Sequence, residues 1–266
     1  MSLSVFVRND DVRGELDKSL VYLTERLLSN GVLLIHAVEP KNMSKEVIGW
    51  LIAMKKAYPE RLGIIQHGFE HKIKTALPLQ GEFGGGRPFE QQRAEIHQGK
   101  LLMDNYFGKL WNQVFSFPYG TYDNNTLHAL ALEGYNGIST GIRFTRKRRM
   151  FNMVGRFIGV KHLMGQNVVY FNEQVPGLPL REYPVVLNNT KKYILPDSGV
   201  QKNFLELMNE WHYLPQSIRC RGILVHHRYN SLQDIDELTE FLIYLRSRNI
   251  KFLTLSELFN DQVDNS

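Results

Sequence analysis

Alternation constrains this chain most. Short apolar runs of strand character recur, and between them apolar residues return every three or four positions, as on one face of a helix. Residues 4–8 read as a strand. Leu16, Leu20, Leu23 and Leu27 then keep helical spacing over 15–29, and Asn30-Gly31 stops that helix. Val32 to Val38 is a buried strand, Ser44 can cap a helix carrying Val47, Leu51 and Met54, and Leu62 to Gln66 is a third strand. A Gly-rich loop from Gly81 to Pro88 leads into a helix over 89–107. A strand at 113–117, a helix capped by Asp123 that stops near Gly134, and a strand at about 137–140 come next. The period returns as helix 200–213, strand 222–226, a helix opened by Ser231, strand 250–254 and a short terminal helix. Between about 150 and 195, Val, Tyr and Phe alternate with polar residues, and the segment reads as a β-rich insertion.

Strands alternating with helices call for a parallel sheet covered by helices. About seven repeats favour a closed or nearly closed (β/α) barrel over an open doubly wound sheet. No G-x-G-x-x-G follows the first strand, which disfavours a dinucleotide-binding fold. The expected class is therefore α/β: one distorted (β/α) barrel domain over residues 1–266, carrying the insertion at about 150–195.

Composition removes several functions. A single cysteine, Cys220, excludes an intrachain disulfide framework and any cysteine-cluster zinc site. No run of 18 apolar residues is present, so the protein is not expected to be integral to a membrane. The start of the chain lacks the basic head and apolar core of a signal peptide, and a cytoplasmic location is expected. Lys plus Arg is 32 and Asp plus Glu is 27, a net charge of +5. All of the excess lies in residues 143–149, which hold four arginines and Lys147 but no acid. Such a run reads as a solvated loop or as a docking surface for phosphate, including peripheral contact with an anionic membrane. Nucleic acid is not an expected partner, because Phe144 is the run's one aromatic and no binding module accompanies it.

The unusual polar residues stand just after strands, where a barrel assembles its active site. Asn9-Asp10-Asp11 follows the first strand, and adjacent carboxylates there suit a metal ligand beside a free base, or a turn or helix cap. His67 and His71 follow the third strand, four residues apart, as metal ligands or as surface histidines. Gly68 occupies the glutamate position of H-E-x-x-H, so the zinc-protease reading fails. Pro118-Tyr119-Gly120 forms a turn whose backbone N–H groups could face an oxyanion. His226, at the end of Gly222-Ile223-Leu224-Val225, suits a general acid or a structural histidine. Cys220, His36, His97, His128, His162 and His212 have no partner spacing and read as packing.

In this order and spacing, the motifs resemble the polysaccharide deacetylase family, carbohydrate esterase family 4. The resemblance runs from about residue 5 to 258 and includes Leu224-Val225-His226 and the closing Phe252-Leu253-Thr254-Leu255-Ser256-Glu257-Leu258. The stretch from Gln66-His67-Gly68 through Glu82-Phe83-Gly84 to Arg87 looks like a cytoplasmic subset of that family. By resemblance, Arg8-Asn9-Asp10-Asp11 matches T-F-D-D, making Asp10 the general base and Asp11 a metal ligand. His67 and His71 match H-S/T-x-x-H as the other ligands, with Gly68 in the place of the small hydroxyl residue. Pro118 and Tyr119 match R-x-P-Y, with Ser116 where the arginine that orients the base stands. His226 becomes the acid. The family's aspartate–tryptophan motif has no match.

The resemblance implies one divalent metal ion, Zn²⁺ first, and hydrolysis of an N-acyl group, most often acetyl, from an amino sugar. A cytoplasmic enzyme would act on a nucleotide- or lipid-linked precursor of a surface polysaccharide, the run at 143–149 taking its phosphate. Glu82 and Arg87, in the loop after the third strand, are the expected sugar contacts, with Pro118 and Tyr119 beside them. Three other readings stand next to this one: the same site acting on a non-sugar amide, a metal-binding scaffold without catalysis, and nucleic-acid binding through the basic run.

Overall fold

The computed structural model describes residues 3–76, 80–142, 162–163, 166–167, 174–194, 198–216 and 218–259. The basic run at 143–149 and much of the expected insertion lie outside the described residues. Two compact units make up the chain, one formed by Met1–Val38, Met43–Ile64 and Leu187–Ser266, the other by Glu39–Asn42 and Ile65–Val186.

In the first unit, β1 (Ser4–Gly14) is central. It pairs in parallel with β2 (Leu34–Met43), with β12 (Cys220–Val225) and with β13 (Lys251–Phe252). Val5, Phe6 and Val7 are fully buried, as strands covered on both faces require. Helix α1 (Lys18–Ser29) is capped by Asp17, whose carboxylate accepts from the Leu20 N–H at 2.8 Å. It buries Leu20, Leu23 and Leu27, each side chain contributing about 1.5–3 kcal/mol of hydrophobic stabilisation. Helix α2 (Lys45–Ala57) starts at the expected cap, Ser44. Later helices of this unit are α5 (Phe204–Tyr213), α6 (Leu232–Ser247) and α7 (Leu255–Phe259). Ser231 and Asp234 close a capping box at the start of α6.

In the second unit, β3 (Leu62–His67), which enters from the first, pairs in parallel with β4 (Val114–Ser116), β4 with β5 (Gly137–Ser139), and β5 with β8 (Arg181–Glu182). Helices α3 (Phe89–Phe107) and α4 (Asn124–Leu132) pack on each other. The hydrogen-bonded order is β8-β5-β4-β3-β2-β1-β12-β9, with β9 being Val185–Asn188. A mostly parallel sheet of eight ordered strands whose end members, β8 and β9, are neighbours in the chain is the topology of a distorted (β/α) barrel, as expected.

Several boundaries differ from expectation, among them the helix read over 200–213, which begins at Phe204 because Asn203 caps it and Ser198–Gln201 is a strand. β1 does not end before Asn9-Asp10-Asp11 but runs through them to Gly14. The first helix begins at Lys18, because Asp17 supplies a cap and residues 15–17 do not turn. Of the stretch read as an insertion, Arg181–Glu182 and Val185–Asn188 belong to the main sheet. β6 (His162–Leu163) and β7 (Gln166–Asn167) form one small antiparallel pair, and β10 (Thr190–Ile194) with β11 (Ser198–Gln201) form another. Among the described residues, no helix is long and apolar enough to cross a membrane.

Candidate functional site

β1 is irregular where its carboxylates stand. Asn9 pairs with His36 on β2, but Val12 pairs with Val38, so β1 spends one residue more than its partner. This is a β-bulge, and bulges re-aim side chains beside functional sites. Asp11 takes up the irregularity with a φ of 62°.

Asp10 is gripped from its own strand. Arg8 Nε donates to Asp10 Oδ1 at 2.7 Å and Nη2 donates to Oδ2 at 2.8 Å, with both side chains only 4% exposed. A planar guanidinium forking onto a carboxylate fixes its orientation as well as its charge.

Between the two partner strands, Asn9 ties the segment after β12 to β1. Its Oδ1 accepts from the His227 backbone N–H at 2.9 Å, and its Nδ2 lies 3.1 Å from His36 Nδ1. Thr24 Oγ1 donates to the Leu20 carbonyl at 2.7 Å and so accepts from His36 Nε2–H at 3.1 Å. His36 Nδ1 is then the acceptor for Asn9, which is the neutral ring. Burial pushes its pKa down to about 3, with the nearby His227 adding to the effect. His226, next in the chain, is 8% exposed. Its ring packs on Tyr193 with centroids 5.5 Å apart and on Tyr229 at 5.3 Å.

On the second unit, His67 ends β3 level with Ser116 on β4. Ser116 Oγ donates to the Gln66 carbonyl at 3.2 Å and lies 2.8 Å from His67 Nδ1. The serine hydrogen is thus committed to Gln66, and His67 Nδ1–H donates to Ser116. Such partners orient metal-binding imidazoles.

His71 is held by a loop with its own anchor. The buried Glu82 carboxylate accepts backbone N–H bonds from Glu70 at 2.8 Å, Phe69 at 3.1 Å and His71 at 3.3 Å. Burial pushes the Glu82 pKa up, against the pull of these donors and of Lys74. Lys41 and Lys74 pair with Glu70 and hold its carboxyl down at about 2. Gly68 opens the loop with a φ of 58°, and a Cβ there would stand 2.2 Å from Glu82 Oε2 and 2.3 Å from Pro118 Cγ. The Tyr119 hydroxyl donates to the His71 carbonyl at 2.9 Å, and its ring lies 4.6 Å from the His71 ring.

Arg87 donates to both oxygens of Glu95, at 2.8 and 3.1 Å, and to the Glu82 carbonyl at 2.5 Å. Glu82 and Arg87 are thus engaged in holding the loop, and Pro118 is buried against Gly68. The sequence suggested sugar contacts for all three, and their bonds and packing also brace the loop.

Among the described residues, one group of three His, Cys, Asp or Glu side chains offers ligand atoms all within 4.8 Å of one another: Asp11, His67 and His71. Asp11, His71 and Tyr119 are also three of the four described non-glycine residues with positive φ. Backbone strain of this kind, about 1–3 kcal/mol per residue, gathers at functional sites.

Arg8, Ser116, Asn9 and His36 were missed as site residues. Arg8 had a signal, since a cation inside an apolar strand needs a partner and Asp10 lies two residues away on the same face. His36 had none without the strand register that sets it level with Asn9.

Comparison with family models finds no match, and comparison with curated proteins finds none either. Solved structures do match, and they are carbohydrate esterase family 4 proteins, in line with the resemblance carried by the motifs. One is a family 4 acetyl xylan esterase from Clostridium thermocellum in complex with a cobalt ion: TM-score 0.55, 13% identity, 96% of this chain and 90% of that one. Another is the Bc1960 peptidoglycan N-acetylglucosamine deacetylase: TM-score 0.54, 11% identity, 97% and 89%. A third is a family 4 pseudoenzyme from Bacillus anthracis: TM-score 0.54, 10% identity, 97% and 66%. At these identities the likeness is one of fold. The three are named for ester hydrolysis, amide hydrolysis and no hydrolysis, so the fold leaves function to be argued from the site.

Proposed function

We propose that this protein is a metal-dependent hydrolase that removes an N-acyl group, acetyl first, from an amino sugar. The observation that carries the reading is the convergence of Asp11, His67 and His71 ligand atoms within 4.8 Å. Two imidazoles and a carboxylate suit a borderline divalent ion, Zn²⁺ first, with cobalt, nickel, iron and manganese also accepted. Ser116 fits the same role, since it fixes the tautomer of His67 that leaves Nε2 as a donor atom. When bound, the ion supplies Lewis-acid polarisation of the acyl carbonyl and acidifies water.

On this reading, Asp10 is the general base, and Arg8 aims its carboxylate. His226 is the acid that protonates the leaving nitrogen, its ring set by Tyr193 and Tyr229. Tyr119 offers a backbone N–H to the developing oxyanion while its side chain holds His71. Glu82, Arg87 and Pro118 brace the His71 loop and border the sugar. The substrate fits a nucleotide- or lipid-linked sugar of surface-polysaccharide synthesis in the cytoplasm, with the five charges at 143–149 taking its phosphate at a membrane face or in solution.

A scaffold without catalysis is the second reading. Its support was the missing motif arginine at Ser116. On the hydrolase reading Arg8 takes over that orientation from two residues before Asp10, which speaks for catalysis over the scaffold. The deciding experiment is elemental analysis of tag-free protein beside His71→Ala, followed by acetate release from N-acetylhexosamines by wild type and Asp10→Asn. About one metal per chain in the wild type, strongly reduced in His71→Ala, with acetate release lost in Asp10→Asn, is expected. Metal without acetate release favours the scaffold, and no metal after reconstitution ends both readings.

A further inference from the structure

Tyr193 is a large aromatic residue left 41% exposed and held still. It lies on β10, opposite Gly199 of β11. Its hydroxyl accepts from Asn188 Nδ2 at 2.8 Å. The base of the hairpin is stitched to the segment that carries His226. Asn189 N–H donates to the Leu224 carbonyl at 2.8 Å, and Asn189 Nδ2 donates to Asn230 Oδ1 at 2.9 Å. Gln201 Nε2 donates to the Tyr229 carbonyl at 2.8 Å. Tyr193 meets His226 at 90° with centroids 5.5 Å apart, and meets Tyr229 at 84° and 5.9 Å.

A ring left 41% exposed while one edge packs on His226 and Tyr229 presents its remaining surface outward, and the bonds at its hydroxyl and along its hairpin serve that presentation. A rigid aromatic face of this kind receives flat apolar surface at little further entropy. The apolar C–H face of a pyranose is such a surface, and a small acyl compound lacks one. We propose that Tyr193 is a specificity-determining residue that stacks on a sugar ring beside His226, and that it selects saccharides over simple amides. The inference rests on the hydrolase reading for its place next to the proposed acid. The stacking itself can be measured without turnover.

The test is binding of methyl N-acetyl-β-D-glucosaminide, methyl N-acetyl-α-D-galactosaminide and tri-N-acetylchitotriose to the full chain, by saturation-transfer NMR and calorimetry, with 4-nitrophenyl acetate turnover measured alongside. Tyr193→Ala should weaken binding of at least one glycoside tenfold or more, and Tyr193→Phe, which keeps the ring, should stay within threefold of wild type. Equal binding by wild type and Tyr193→Ala overturns the inference. Equal loss in the Phe and Ala variants overturns it too, because the hydroxyl and not the ring would then matter. No saccharide binding by the wild type overturns it even when 4-nitrophenyl acetate is turned over, an outcome that leaves the hydrolase reading standing. Saccharide binding that depends on Tyr193, with neither 4-nitrophenyl acetate turnover nor acetate release from the N-acetylhexosamines, sustains it and ends the hydrolase reading.

Discussion

Gly68→Ser returns a small hydroxyl residue to the position where the family motif has one, and it should damage this protein. The glycine sits at a φ of 58°, where an L side chain costs about 1–2 kcal/mol. Its new Cβ would stand 2.2 Å from Glu82 Oε2 and 2.3 Å from Pro118 Cγ, well inside contact distance. The proline is buried, so the carboxylate must move by about an ångström to relieve the overlap. Oε2 accepts from the Phe69 and His71 N–H groups at 3.1 and 3.3 Å, and a shift of that size weakens or breaks both bonds. Hydrogen bonds to a charged group contribute about 1.5–3 kcal/mol each. Strain and both bonds together come to about 4–8 kcal/mol, against a folding free energy of about 5–15 kcal/mol for a natural domain. Urea unfolding gives the stability and a Co²⁺ titration gives the metal affinity. Gly68→Ala, with the same Cβ and no hydroxyl, should fall as far as the serine variant. A Gly68→Ser protein within about 1 kcal/mol of wild type that binds Co²⁺ equally well would refute the account of this loop.

Two further predictions concern β1 and its neighbours. Arg8→Ala leaves a buried carboxylate without its fork and should cost about 3–5 kcal/mol, measured by urea unfolding. Adding Asp10→Asn should recover part of that loss, and additive losses across the cycle would show that the pair is uncoupled. His36 predicts a pH dependence. The unfolded chain takes a proton on this ring near pH 6.5, whereas the folded protein refuses it down to about pH 3. Between those values the unfolded state binds more protons, so this stabilisation is complete above pH 6.5 and is lost as pH falls toward 3, by about 1.4 kcal/mol per unit. His36→Gln should flatten that part of the stability curve; an unchanged slope assigns it elsewhere.

The alternation of strands and helices was legible because apolar periodicity is local, and the caps Ser44, Asp123 and Ser231 mark helix starts within three residues of sequence. The three metal-ligating candidates were legible for the same reason: each stands in a short motif at a strand end. The end of β1 was not. A bulge leaves a strand in the sheet while breaking its alternation, so Asn9-Asp10-Asp11 looked like a loop. The functions of Glu82 and Ser116 were hidden because they depend on contacts 11 to 50 residues away in the chain. That Glu82 is buried and bonded to three backbone donors cannot be read from its place in the sequence.

Two departures from the motifs this chain resembles fit the proposed hydrolase, because each is matched by a residue beside it. Ser116 stands in the arginine position and fixes His67 at 2.8 Å, a bond an arginine there would forfeit. The orienting guanidinium is present on Arg8, two residues before the carboxylate it grips. Gly68 stands in the hydroxyl position, and the volume it leaves is filled by Glu82, which anchors the His71 loop. A site drifting without function loses partners one at a time and leaves buried charges unpaired, each at a cost of several kcal/mol. Here the buried Arg8 and Glu82 both carry specific bonds. Both arrangements hold the carboxylate of Asp10 and the loop of His71 in one geometry, which is what the proposed chemistry needs.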